Sequence, residues 1–348
     1  LLRWCHMPVE FINSTVRNHA AFAIAKISLN EHLLGALVHQ ALPAADREEG
    51  PQTKKRKGPA GKGFGQPDYG SIAGVVGTVG NGHGDGPGEF NEHDGMYQVS
   101  FGSDSTVWAV DMYGHRVHHF KQSGELIKTI GTGTAGNGPG ELRQPIGVAV
   151  SRLGSSVFIG EHCNSRISEF NQSDGAFVRV LDTPGLGDPY GICLSPDETT
   201  LAVACPHSHC IKLISVDGSV APRTIGGEQG SGDGQLNNPG DVRFTPDGQQ
   251  LVVADNGNNR VQCLALDGSF VRKMPLRAAP RAVAVDAAGN IIVATTKHVK
   301  VFSPEGTLLH DRLGGLEMNE AAFGGLAIDP SSGRIAAGDR EVGKVNLL

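Results

Sequence analysis

The densest group of reactive side chains runs from Cys205 to Cys210, where Cys-Pro-His-Ser-His-Cys sets two thiols and two imidazoles within six residues. Thiolate and imidazole are the usual protein ligands of zinc, so this segment is the first candidate for a metal site. Its spacing argues otherwise. Four donors this close along one chain do not close a tetrahedron without distortion, and the pattern matches no common zinc spacing. A second set of residue types recurs instead of clustering: Asp111 with Arg116, Glu161 with Arg166 and Asp255 with Arg260 each place an acid five residues ahead of an arginine. Such pairs satisfy backbone groups and neutralise one another across a turn. Their recurrence assigns them a structural role, since a catalytic residue is expected once. Cys205 and Cys210 occupy the same two positions in another copy, which reads as two thiols replacing the charge pair rather than as metal ligands. Whether they form a disulfide depends on the compartment, and free, partly buried thiols are the expectation for an intracellular protein. Cys5, Cys163, Cys193 and Cys263 show no disulfide-framework spacing. There is no Gly-x-Ser-x-Gly, Walker loop or CxxC pair, and no cofactor or metal is expected.

The elements that must position these residues form a repeat. Units open at Gly95, Gly147, Gly191, Gly240, Arg281 and Gly325, 41 to 52 residues apart, a period typical of propellers and solenoids. In the clearest unit, Asp241 to Phe244 alternates as a strand, Pro246-Asp247-Gly248 turns, and Leu251 to Ala254 and Val261 to Leu266 are apolar runs. Asp267-Gly268 turns again into a more exposed strand, Ser269 to Met274. Second strands are expected at Thr106–Val110, Val157–Gly160, Leu201–Ala204, Ile291–Ala294 and Arg334–Ala337. Four short antiparallel strands per unit make one propeller blade. The last unit has material for only three, so Ile72 to Val79 is expected to complete it and close the ring. Glycine, at 49 of 348 residues, is about double its usual ~7% share and lies mostly in connectors and turns.

The hairpins DMYGHRV, EHCNSRI, CPHSHCI, DNGNNRV, TTKHV and DREVGKV, together with the connectors Gly131–Val150 and Gly226–Phe244, resemble the NHL-repeat family of six-bladed β-propellers. The resemblance covers residues 69–348. It implies an all-β propeller and leaves function open, because such folds host unrelated roles. The lyase that completes peptide amidation is similar to an NHL propeller, and His162-Cys163-Asn164-Ser165-Arg166-Ile167 looks like one of its hairpins. The zinc-binding histidines that this lyase family implies have no counterpart at the starts of the inner strands. A lactonase-like calcium set is equally hard to select. Many NHL proteins carry RING and B-box modules of ubiquitin ligases, and this chain has neither, so a substrate-recognition role in such a protein would draw its ligase activity from elsewhere.

Upstream, residues 1–45 show helical spacing and resemble an armadillo or HEAT unit; an isolated helical hairpin is the alternative. Residues 46–68 are expected to be a flexible linker, with Lys54, Lys55, Arg56 and Lys57 as a nuclear-import or polyanion patch or simply a solvated charge run. These 68 residues hold nine Lys/Arg against six Asp/Glu, and the remainder holds 21 against 30. An acidic propeller is a poor general binder of phosphate backbones, which places RNA below protein as a partner. No apolar run reaches the ~20 residues of a membrane span, and an intracellular, cytoplasmic protein is expected.

With strands running alternately up and down, the second-to-third-strand hairpins and the connectors share one face, the expected binding surface. It should gather His115, Arg116, Arg143, Gln144, His162, Asn164, Arg166, His207, His209, Asn258, Asn259, Arg260 and Lys297. The function expected is that of a non-catalytic protein-interaction scaffold, with RNA binding or a metal-dependent lyase or lactonase as alternatives.

Overall fold

Apolar–polar alternation in each unit folds into four antiparallel strands that hydrogen-bond in chain order. In the fourth unit these are Pro239–Phe244, Gln250–Asp255, Arg260–Ala265 and Phe270–Pro275, the first three largely buried and the last mostly exposed. The computed structural model describes residues 69, 75, 77–91, 95–296, 298–313 and 323–348. The expected helical segment, the linker with its basic cluster and Lys297 lie outside the described residues. Six four-stranded sheets form a six-bladed β-propeller, whose innermost strands are Met96–Phe101, Pro145–Val150, Ile192–Leu194, Pro239–Phe244, Pro280–Val285 and Phe323–Ile328. Among the described residues no helix is long and apolar enough to cross a membrane.

Ring closure follows the expected design. Gly77–Val79 pairs antiparallel with Lys344–Leu347, Thr78 opposite Asn346, and so supplies the fourth strand of the last blade. The outer edge of that sheet is thereby paired from the far end of the chain. Each second strand falls within two residues of its expected position, for example Thr200–Cys205 and Ile335–Asp339.

The apolar core is divided among the blade junctions, which is why 39% hydrophobic residues suffice. Trp108, Val110 and Val117 of the first blade pack with Val148, Val157, Ile159 and Phe170 of the second. Val79, Phe90 and Met96 meet Ala336, Val345 and Leu347 where the ring closes.

The first blade buries an imidazole on each of its faces, His118 toward Phe90 and His119 toward Trp108, and these make stability depend on pH. His118 Nδ1 lies 2.9 Å from Thr129 Oγ1 and its Nε2 2.9 Å from the Glu89 carbonyl, while His119 stacks on Trp108 with centroids 3.8 Å apart. Burial pushes both down to about 4. In the unfolded chain a histidine takes its proton near 6.5, so between that value and 4 the unfolded state binds protons that the folded state refuses. The stability these neutral rings contribute is present above pH 6.5 and lost as pH falls toward 4. Unfolding in urea should therefore show a loss of roughly 2 kcal/mol per histidine between pH 7.5 and pH 5. His119→Gln should remove its share of that slope, and an unchanged slope would contradict the assignment.

Candidate binding face and channel mouth

The recurrent acid and arginine build the frame of the face. Asp255 is fully buried and accepts from Arg260 Nε at 2.7 Å, Asn258 Nδ2 at 2.8 Å, Gln262 Nε2 at 3.2 Å and the Asn237 backbone N–H at 2.7 Å. The remaining guanidinium nitrogens of Arg260 donate to the carbonyls of Ser231, Gly232 and Gln235, all in the preceding connector. The first two blades repeat the device. Arg116 joins Asp111 to the carbonyls of Gly84, Asp85 and Glu89, and Arg166 joins Glu161 to those of Asn137 and Glu141. Hairpins and connectors therefore lie on one face, held together by these arginines.

Other residues expected on this face serve the same frame. Asn164 and Asn258 donate to connector carbonyls of Gly136 and Gly230. His115 and His209, at left-handed φ of 52° and 49°, each accept through Nδ1 a backbone N–H of the next connector, from Gln144 and Asn238. Gln144 accepts from the Cys163 thiol at 2.7 Å. Arg143, Asn259 and His207 are exposed, and half-buried His162 sets its ring centroid 5.5 Å from that of Tyr190 and 6.0 Å from that of His207.

In the third blade, Cys205 and Cys210 are directly opposite in the register and both buried, and neither is in a disulfide. The Cys205 thiol donates to the Leu186 carbonyl at 3.2 Å, and the neighbouring Cys210 thiol together with burial holds Cys205 well above the ordinary thiol range. The imidazoles point away from them: His207 Nδ1 meets Asp188 at 3.0 Å and His209 meets the Asn238 N–H. Among the described residues no three His, Cys, Asp or Glu side chains converge as a metal donor set.

Strand register corrects the alignment of the units. Five of the six innermost strands carry a β-bulge near their start, for example between Pro280, opposite Thr295, and Ala282, opposite Ala294. Aligned on the pairing that follows, the equivalent residues are Tyr97, Ile146, Tyr190, Gly240, Arg281 and Gly324. Gly95, Gly240 and Arg281 are thus not the counterparts of Gly147, Gly191 and Gly325. An extra residue in one strand re-aims its side chain, and here all six line the mouth of the central channel, a cavity of about 190 Å³. The ring is lopsided: Tyr97, Ile146 and Tyr190 occupy one half, and Arg281 stands opposite between two glycines. The Arg340 guanidinium lies over the Tyr97 ring at 3.7 Å.

One residue deeper, the channel is plugged. Gln98 accepts the N–H groups of Val148 at 2.7 Å and Ile192 at 3.2 Å, and donates to the Ile192 carbonyl and to Asp241. Asp241 pairs with Arg243 at 2.7 Å and accepts the Val283 N–H, and Arg243 reaches the Leu326 carbonyl. These three side chains bridge all six inner strands. Their neighbours in the layer are small because they must be: a Cβ on Gly191 would collide with the Asp241 carboxylate, and one on Gly325 would lie 2.7 Å from Gln98 Cα. Burial raises the Asp241 carboxyl above its usual range. Below the plug, a second cavity of about 530 Å³ opens to the other face and shares no lining residue with the mouth.

Residues 236–264, from the connector through the Asp255–Arg260 hairpin, match the family model described as NHL repeat. The chain is a six-bladed β-propeller, and its fourth blade carries an NHL repeat. No curated protein matches the chain. Among solved structures, it is similar to a gluconolactonase from Xanthomonas campestris, at 17% identity over 73% of this chain and 86% of that one, TM-score 0.57. A streptogramin B lyase aligns at 16% identity over 73% and 94%, TM-score 0.53. The β-propeller domain of Cps50 (Swd1) from Myceliophteria thermophila aligns at 14% over 78% and 98%, TM-score 0.55. At these identities the likeness is one of fold.

Proposed function

We propose that the NHL propeller is a non-catalytic binding scaffold that recognises a protein partner on the face formed by hairpins and connectors. The supporting observation is the division of labour on that face. Recurrent polar residues are used within the frame, whereas the irregular ones Tyr97, Tyr190, Arg281, His162 and His207 are gathered at and around the channel mouth, and Arg143 is exposed in the connector that leads into the second inner strand. Tyrosine and arginine are the residue types that carry most binding energy at protein interfaces. A catalytic reading draws on the lactonase and lyase neighbours, but the polar groups in the channel here are bonded to backbone and to one another. RNA is the weaker partner because the propeller is acidic, with 21 Lys/Arg against 30 Asp/Glu beyond residue 68.

Capture of partners by the wild type and by Arg143→Ala/His207→Ala tests the proposal. These exposed residues lie outside the core, so stability should stay within about 0.5 kcal/mol while bound partners fall at least tenfold. An unchanged partner set would overturn the assignment of the face.

A further inference from the structure

We infer that the channel mouth is a binding site for an apolar carboxylate, whose acid group sits at Arg281 and whose body lies against Ile146 and Tyr190; this rests on the reading of the mouth as part of the recognition face. Arg281 is exposed and has no hydrogen-bond or ion-pair partner among the described residues, yet it lines a cavity of about 190 Å³, room for one side chain or a small molecule. Its position is set by the bulge in its strand, and the equivalent positions of the flanking blades are the glycines Gly240 and Gly324, so no side chain from either stands beside it. Arg340 brings a second guanidinium from the last blade, stacked on Tyr97 across Gly324. The lining contains one carboxylate, Asp241, and that is already neutralised by Arg243 and by the N–H groups of Val242 and Val283. Among the described residues, Arg281 is therefore an unpaired positive charge in the mouth of a propeller that carries more acidic than basic residues. A single carboxylate takes the bidentate fork of an arginine, whereas a polyanion would meet the repulsion of the surrounding acidic surface.

The opposite half of the ring supplies the second requirement. Ile146 and Tyr190 face Arg281 across the mouth, so a ligand spanning the cavity meets charge at one end and an apolar wall at the other. A C-terminal hydrophobic residue of a partner protein and a free aromatic acid share this chemistry.

Calorimetric titration of the full chain tests the site with four probes: N-acetylphenylalanine, its amide, an octapeptide ending in phenylalanine with a free carboxyl, and the same peptide amidated. The acids should bind at least tenfold more tightly than the amides, and more weakly as salt is raised. Arg281→Gly, which installs the residue found at this position in the two flanking blades, should cost the acids at least tenfold and leave the amides unchanged. A free-acid peptide that binds tenfold more tightly than the amino acid identifies a protein terminus, and equal affinities identify a small-molecule acid. Acid and amide within twofold of each other on the wild-type protein would overturn the proposal, whatever the variant does; so would inorganic phosphate displacing the acids at equal concentration. Acid binding that depends on Arg281, alongside partners unaffected by Arg143→Ala/His207→Ala, would leave the site standing and remove the scaffold reading. Loss of partners in that variant with no acid preference would do the reverse.

Discussion

Asp255→Ala should lower the stability of the propeller by about 3–5 kcal/mol, the cost of leaving a buried charge without its partner. The carboxylate is fully buried and holds four donors, so its removal orphans the Arg260 guanidinium and the Asn237 N–H together. Arg260→Ala should cost a similar amount for a different reason, since the connector carbonyls of Ser231, Gly232 and Gln235 lose their donors. The double variant should be less unstable than the sum of the two, because no charge then remains buried and unpaired. Urea unfolding of the four proteins checks this. Additive losses would mean that the pair is not the unit holding hairpin to connector. The third blade sets the precedent: there Cys205 and Cys210 replace the pair with two buried thiols, and the blade keeps the same four-strand register.

Gln98→Leu should cost about 3 kcal/mol or more, because it leaves the Val148 and Ile192 N–H groups without an acceptor in a buried site at ~1–3 kcal/mol each. It also removes one donor from Asp241. Gln98→Glu separates the hydrogen-bonding role from the volume. It keeps two acceptors but sets a second carboxylate beside Asp241, so its proton is held more tightly in the folded state than in the unfolded one. A group whose folded pKa is raised contributes stability at low pH that is lost as pH rises through the folded value. The glutamate variant should thus approach wild-type stability near pH 4 and fall away toward neutrality. A Gln98→Leu protein as stable as the wild type would show that the plug is not what ties the inner strands together.

Much of this fold is legible in the residues. The alternation of Asp241 to Phe244, the Asp267-Gly268 turn with Gly268 at φ +91°, and the strand at Gly77–Val79 before a glycine-rich connector all express local rules that tertiary packing reinforces. The structural role of Asp111, Glu161 and Asp255 was legible too, through recurrence. The bulges were not, because an extra residue is revealed only by where the ladder resumes on the neighbouring strand. Counting units from glycine consequently placed Gly95 and Arg281 in one class and passed over Tyr97, Ile146 and Tyr190. A signal was present in Pro145, Pro239 and Pro280, which open three inner strands, and in Pro189, which precedes a fourth by three residues; the residue after each proline is the one that lines the mouth. The plug was hidden for a similar reason. Gln98 and Asp241 lie 143 residues apart, and nothing local marks them as partners.

Hydrogen exchange on the propeller with a captured partner tests the division between frame and face most directly. New protection is expected at Arg143–Ile146, Pro189–Gly191, Pro206–His209 and Pro280–Ala282, with the opposite-face turns at Ser151–Ser155, Ser195–Thr199 and Thr245–Gln249 unchanged. Protection confined to those opposite-face turns would contradict the account.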